Sequence, residues 1–269
     1  MFAVAGVSGR TGAATAEALL KQGQKVRVLV RKAEQGEPWL RHHAEVAVCD
    51  FNDTDSLIGA LSGVTGAWLL LPPRLEVDAR TVMLASMAKA LKRARLERLA
   101  FLSCVGAQHP TGTGPATAVH QAEQLLASSA QCVTFVRAAY FLENWGAVLL
   151  SALETGELPF YGHVHTKFPQ VSARDVGHAA AQVLTTPVRG TRFIEVAGAE
   201  NWSADDVAEV ISSLLSTRIK AVERPVDSLE DPLLAEQYRA MARGLLNFAH
   251  PHQLTRGTTP LYNALKTLV

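Results

Sequence analysis

Three cysteines among 269 residues, Cys49, Cys104 and Cys132, are too few and odd in number for a disulfide scaffold, and their spacing fits no zinc motif. Each lies in or beside an apolar run, which reads as a small buried hydrophobe. Neither sign of charge prevails: 26 basic residues face 25 acidic ones, a net charge of +1, so no field of the whole protein points to nucleic acid. The densest basic run, from Lys89 to Arg98, closes a long helical pattern, where cations suit the helix dipole. No run reaches the ~18 consecutive apolar residues of a membrane-spanning helix. The opening residues also lack the charged start and long apolar stretch of a signal peptide, so a cytoplasmic protein without membrane or nucleic-acid partners is expected. Two histidine pairs, His163 with His165 and His250 with His252, have neither H-E-x-x-H nor cysteine context, so no metal is expected. A nucleophile elbow is missing, which removes support for Ser/His/Asp hydrolysis.

What is present is an apolar content of 48% and a mean hydropathy of +0.10, enough for a sizeable core in a chain of this length. The chain is organised around its first twelve residues. Phe2 to Ala5 reads as a buried strand, Gly6, Gly9 and Gly12 punctuate the turn after it, and Ala13 to Leu20 reads as a helix. Such a strand, glycine turn and helix cradle a phosphate, with the first-turn N–H groups and the positive end of the dipole facing the anion. Gly6 allows a tight turn, Gly9 a close backbone approach, and Gly12 close packing of helix on strand. Ser8, Arg10 and Thr11 complete the cradle. Its spacing is G-x-x-G-x-x-G, distinct from the G-x-G-x-x-G of the ordinary dinucleotide fingerprint. Lys25 to Val30 supplies the second strand of a βαβ unit, and Arg31 stands at its end. An NAD-preferring site carries an acid there, whereas a 2′-phosphate calls for a guanidinium. NADP(H) is therefore the expected cofactor, with Arg10 within reach of the same phosphate.

Strand and helix patterns continue to alternate. Strands are predicted at 44–49, 67–71, 98–102 and 131–137, with helices at 53–61 and 76–94. This order predicts an α/β fold, a Rossmann-type doubly wound parallel sheet. Parallel strands deliver ligand contacts at their carboxyl ends, so Leu71, Pro72 and Pro73 should line the cofactor crevice, unless the prolines are simple punctuation. Beyond Trp145 the alternation weakens. Short strands are expected at 158–162, 168–171 and 192–196, Ser172 and Asp175 are read as helix caps, and a further helix opens at Ser203. The expected domains are a nucleotide-binding core, 1–157, with 172–187 packing back on it, and a small substrate-binding lobe made mostly of 158–269.

Gly6 to Gly12, Arg31, Leu-Ser-Cys-Val-Gly-Ala (102–107) and Val-Arg-Ala-Ala-Tyr-Phe-Leu-Glu-Asn (136–144) resemble the NmrA-like group of atypical short-chain dehydrogenases/reductases. That group includes NADPH-dependent quinone reductases and NADP-binding regulators without activity. The resemblance implies that Asp50 and Phe51 lie along the adenine, although Asp50 also reads as the start of a turn. It implies that Tyr140 and Phe141 pack beside the nicotinamide and that Asn144 orients the loop, where the residue pattern alone reads the aromatics as core. Short-chain dehydrogenases follow a substrate-binding serine, here Ser103, with Tyr-x-x-x-Lys. This chain has Ala116 and His120 at those two places, so the standard proton donor is absent. Quinone-reducing relatives also carry a histidine where His120 stands, and an imidazole can hold a ribose hydroxyl or relay a proton. The predicted catalytic set is Ser103, His120 and Tyr140. The expected activity is NADPH-dependent reduction of a quinone or similar conjugated carbonyl, with a small apolar or aromatic substrate. Alternatives are a non-catalytic NADP-binding sensor acting through a protein partner, and an iminium or aldehyde reductase.

Overall fold

The computed structural model describes residues 1–72, 75–186 and 188–269. In chain order the elements begin with β1 (Phe2–Ala5), α1 (Arg10–Lys21), β2 (Val26–Val30), α2 (Glu37–Leu40), β3 (Glu45–Val48) and α3 (Thr54–Leu61). They continue with β4 (Gly66–Leu69), α4 (Val77–Ala94), β5 (Arg98–Cys104), α5 (Ala116–Leu126), β6 (Cys132–Ala138), β7 (Tyr140–Phe141) and α6 (Gly146–Thr155). Then follow β8 (Glu157–Phe160), β9 (Phe168–Val171), α7 (Ala173–Thr185), β10 (Gly190–Ala197) and β11 (Asn201–Trp202). The last are α8 (Ala204–Leu215), β12 (Lys220–Glu223), α9 (Pro232–Ala242), β13 (Leu254–Arg256) and α10 (Leu261–Leu265).

Eight strands form one sheet in the order β13-β10-β6-β5-β4-β1-β2-β3, flanked by helices. The register is parallel: Ala5 faces Leu29, Leu29 faces Ala47, and Leu69 faces Phe101. The chain runs outward from β1 through β2 to β3, then returns to β4 on the other side of β1. Strand order therefore reverses between β1 and β4, the place where doubly wound sheets open a crevice at the carboxyl ends of their strands. Two small sheets, β11-β9-β7 and β12-β8, complete the strands.

Packing divides the chain into two compact units. The first contains Met1–Ser103, Ala118–Arg137 and Val176–Ile194; the second contains Cys104–Thr117, Ala138–Asp175 and Glu195–Val269. A boundary at 157 falls at the start of β8, inside the second unit, because the chain leaves the first unit at the carboxyl ends of β5, β6 and β10. In the first unit an aliphatic core centres on Leu57, Leu61, Leu69, Leu84, Met87 and Leu91. α7 lies tightly on α1, for a Cβ on Gly177 would stand 2.5 Å from that of Ala14. The second unit has its own core, in which Trp145, Leu158, Phe160 and Phe168 pack with Val207, Ile211 and Leu265. Gln170, fully buried there, accepts from the Trp145 indole at 2.7 Å and donates to the Trp202 carbonyl at 2.7 Å. Ser203 opens α8 in a capping box with Asp206. Ser172 accepts from the Arg174 N–H as a cap does, whereas the Asp175 carboxylate instead accepts from the N–H and hydroxyl of Thr259.

Candidate functional site

The glycine turn of the first unit has the geometry of an anion cradle. Gly6 has φ +69°, in the left-handed region, and its carbonyl accepts from the Gly9 N–H at 2.9 Å. A Cβ on Gly12 would stand 2.3 Å from the Gly6 carbonyl oxygen, so only glycine lets α1 start this close to β1. Gly9 is the N-cap and is exposed, with no side chain bonded across the cap and no acid in the first turn. A Cβ there would touch only the Gly6 oxygen, at 3.4 Å, so the space in front of the helix N-terminus is open backbone surface. Ser8 and Arg10 are exposed beside it, and Thr11 is half-buried. The arrangement fits a diphosphate: first-turn N–H groups without a side-chain cap among the described residues, no acid in that turn, and a cation at the first helical position.

The register brings the next candidates to the same edge. Since Ala5, Leu29 and Ala47 are level across β1, β2 and β3, Gly6 opens beside the ends of β2 and β3, where Arg31 and Asp50 follow. Arg31 is exposed; its backbone N–H donates to the Gln35 side chain, and its guanidinium has no partner among the described residues. Asp50 accepts from the Asn52 N–H at 2.9 Å, so its carboxylate shapes the turn before α3, and Phe51 packs half-buried against the aliphatic core. β4 ends at Leu69, two residues before the strand end predicted from the proline pair. Leu70, just beyond, approaches the glycine turn: its Cδ2 lies 2.7 Å from where a Cβ on Gly6 would be. Leu71 is half-buried against the core and Pro72 is exposed, while Pro73 lies outside the described residues.

Ser103 ends up in a different environment from a solvent-facing catalytic serine. It is buried, and its hydroxyl donates to Glu123 Oε1 at 2.6 Å. The same carboxylate is held in a fork by Arg137, from Nε at 2.9 Å and Nη2 at 2.7 Å, and the guanidinium lies 4.2 Å over the Phe193 ring. At 8% and 1% side-chain exposure the charged pair depends on this fork and the Ser103 hydroxyl to offset its desolvation. Neither Glu123 nor Arg137 was among the predicted site residues. The available signal was one charge inside the apolar run Val-Thr-Phe-Val-Arg-Ala, which a buried strand accepts only opposite a partner. His120 sits half-buried on α5, one turn before Glu123. Cys49 is inert by environment: burial, and secondarily the Asp50 charge, push its thiol up to about 11.

The second unit contains a cavity of about 750 Å³, ample for a small aromatic molecule. Tyr140, Phe141 and Asn144, predicted together from sequence, all line it. Phe160, Phe168 and Tyr238, which sequence reading passed over, line it with them. Phe160 and Phe168 stack at 5.6 Å, Tyr140 meets Phe168 edge-on at 5.6 Å, and Phe160 meets Tyr238 edge-on at 5.5 Å. Burial pushes the Tyr140 phenol up to about 12, against hydrogen bonds from Tyr238 and Asn144 that pull it down. Burial pushes Tyr238 up further, with the neighbouring Tyr140 adding to the effect. Both phenols are therefore neutral proton carriers at physiological pH. The cavity wall also includes Lys167, Glu223 and Arg224. Lys167 pairs with Asp206 at 3.6 Å and Arg224 with Glu157, while Glu223 accepts from the Val164 N–H at 3.1 Å and lies 3.3 Å from the His163 ring. His163 and His165 thus turn to different acids, Glu223 and Asp205, and no cluster able to hold a metal occurs among the described residues.

A doubly wound parallel sheet with a glycine cradle at its first helix defines the class of Rossmann-type nucleotide-binding proteins. Within that class the chain belongs to the NmrA-like family, whose model matches residues 1–255. It is similar to quinone oxidoreductase 2 of Escherichia coli (strain K12), 28% identical over 211 residues that cover 77% of this chain and 72% of that protein. The NAD(P)H azoreductase of Xenophilus azovorans is 24% identical over 223 residues, covering 82% and 76% of the two chains. Among solved structures, an NADPH-dependent quinone oxidoreductase of Escherichia coli complexed with NADPH has the same fold, with a TM-score of 0.84 at 23% identity, over 100% of this chain and 99% of that one. No helix among the described residues is long and apolar enough to cross a membrane.

Proposed function

We propose that the protein is an NADPH-dependent oxidoreductase that reduces a quinone or similar conjugated carbonyl of aromatic character. The observation that carries this reading is the aromatic cavity of the second unit, ligand-sized and furnished with neutral phenols at Tyr140 and Tyr238. A sensor acting only through its surface has no need of such a cavity. In this reading the first unit serves the cofactor and the second the substrate, in place of the limits 1–157 and 158–269. Gly6, Ser8, Gly9, Thr11 and Gly12 hold the diphosphate on backbone N–H groups and hydroxyls, and Arg10 and Arg31 meet the 2′-phosphate. Asp50, Phe51, Leu71 and Pro72 border the adenine side, and Phe141 and Asn144 belong to the nicotinamide side. When bound, NADPH supplies a hydride.

The residues of the chain do the remaining work, which is binding, orientation and proton delivery. A quinone accepts hydride readily, so the missing Tyr-x-x-x-Lys matters less than it would for a simple ketone. The proton comes from Tyr140 in the aromatic cavity, His120 serves as a relay or ribose contact, and Ser103, tied to Glu123, supports the end of β5. The relatives' names agree with the reductase reading, as quinone oxidoreductase 2 and NAD(P)H azoreductase both reduce conjugated acceptors. The test is nicotinamide absorbance over time with purified protein, NADPH and a panel of quinones, with NADH in parallel. Consumption of NADPH faster than of NADH is the expected result; tight binding of NADPH without consumption by any quinone would overturn the enzyme in favour of the sensor. His120→Ala lowers turnover or cofactor affinity if the imidazole serves as stated, and leaves both unchanged if it is structural.

A further inference from the structure

Two walls of the aromatic cavity come from distant stretches of the second unit. Thr113, Pro115 and Ala116 lie where the chain passes from β5 into α5, whereas Tyr238, Met241 and Leu246 belong to α9 and the turn after it. Hydrogen bonds join these stretches. The Gly114 N–H donates to Glu236 Oε2 at 3.0 Å, Arg243 Nη2 to the Gly112 carbonyl at 3.3 Å, and Gln108 Nε2 to the Asn247 carbonyl at 3.1 Å. The approach is so close that a Cβ on Gly114 would stand 2.4 Å from the Leu233 carbonyl oxygen.

The stretch that carries α9 is anchored at both ends. Before it, β12 pairs with β8, and the Arg224 N–H extends that pairing to the Phe160 carbonyl at 2.8 Å. After it, the buried carboxylate of Glu195 accepts from the Ala249 and His250 N–H groups, each at 2.7 Å. The bonds between α9 and the loop are more accessible: Glu236 and Gln108 are half-buried and Arg243 is exposed. Fixed ends with a middle joined at accessible positions make local opening easier than unfolding of the core.

We propose that residues 225–247 form a strap over the aromatic cavity, latched by Glu236 on the Gly114 N–H, and that an aromatic ligand in the cavity holds the strap closed. A flat ring touching Ala116 on one side and Tyr238 or Met241 on the other binds the closed strap better than the open one, and by that difference favours closure. The assignment rests on the reading of this cavity as the acceptor site and adds a moving part to it. Closure keeps water from the reacting ring, and opening releases product.

The experiment follows amide hydrogen exchange by mass spectrometry, with and without 2-naphthamide, an aromatic carbonyl compound that accepts no hydride. The amides of α9 report opening, since a helix of 11 residues parted from its packing frays. In wild type, naphthamide at about ten times its Kd should slow their exchange about tenfold, because exchange then waits for the ligand to leave. Amides of α8, none of whose residues line the cavity, should be unaffected. Glu236→Ala should speed α9 exchange about tenfold while the naphthamide Kd stays within about twofold, since the closed form remains the majority. Arg243→Met, which loses a more exposed bond, should speed it about threefold. A latch unconnected with the cavity would give faster exchange in the variants and no protection by the ligand. The strap is overturned if wild type binds no naphthamide, if bound naphthamide leaves α9 exchange unchanged, if Glu236→Ala does not speed it, or if α8 speeds up as much as α9. NADPH-dependent reduction of menadione by wild type is read beside these. Protection of α9 without turnover supports the strap and overturns the reductase reading, whereas turnover with α9 unprotected overturns the strap alone.

Discussion

The two units differ in their aromatic content and in what their buried carboxylates face. The first has an aliphatic core and encloses a charged pair, Glu123 with Arg137, that ties α5 to β6. The second holds all four tyrosines of the chain, Tyr140, Tyr161, Tyr238 and Tyr262, and its buried carboxylates Glu143, Asp175 and Glu195 accept from backbone N–H groups, with no buried cation opposite them among the described residues. The contrast agrees with the proposed division of cofactor and substrate between them. Close backbone approach at Gly12 and a rigid set of strand ends suit an anionic ligand bound by N–H groups. Aromatic walls with neutral hydroxyls suit a flat, uncharged ring whose oxygen needs a donor.

Breaking the charged pair should give the largest effect. Arg137→Met leaves Glu123 buried without its partner and should cost about 3–5 kcal/mol, read by urea unfolding. Adding Glu123→Leu should recover most of that loss, because two apolar side chains need no partners; if the double variant is as weak as the single one, the pair is not the source of the stability. The second unit is expected to answer in turnover instead. Tyr140→Phe should lower quinone turnover about 100-fold, the lower end for a lost general acid, while costing about 1 kcal/mol of stability. Equal losses in rate and stability would erase the contrast between the units.

A smaller effect is expected at the cradle, where Arg31→Ala should reduce the preference for NADPH over NADH about tenfold, in binding assays with both cofactors, without shifting the unfolding midpoint. An unchanged preference would mean that the guanidinium at the end of β2 does not read the phosphate. The smallest appears only in alkali. The Tyr140 phenol titrates near 10 when unfolded and is pushed up to about 12 in the fold, so the protonated form is favoured by folding. Its contribution to stability is fully present below pH 10 and is lost as pH rises toward 12. Replacing Tyr140 by Phe should flatten the fall in unfolding free energy across that window, as measured by denaturant titration at several pH values.

Legibility in the sequence followed the range of the interaction. The glycine turn could be read because Gly6, Gly9 and Gly12 act on their own backbone and on the strand immediately before them. Tyr140, Phe141 and Asn144 could be grouped because they fall within five residues of one segment and resemble a family motif. Tyr238 could not be placed, since nothing local in α9 distinguishes a cavity phenol from a core one; the absence of tyrosine before residue 140 was the one clue that these side chains concentrate in one region. Ser103 was read as facing substrate because it stands where short-chain dehydrogenases carry their substrate-binding serine, and only the packing of α5 shows its hydroxyl turned to Glu123.

By itself the sequence determined the α/β alternation, the cradle after β1 and the cation at the end of β2, because hydrophobic period, glycine and charge act over a few residues. Tertiary structure alone decided where the chain passes between its units, which carboxylate takes the Ser103 hydroxyl, and that Tyr238 lines one cavity with Tyr140. Those pairings depend on strand register and helix packing across tens of residues, and no local pattern encodes them.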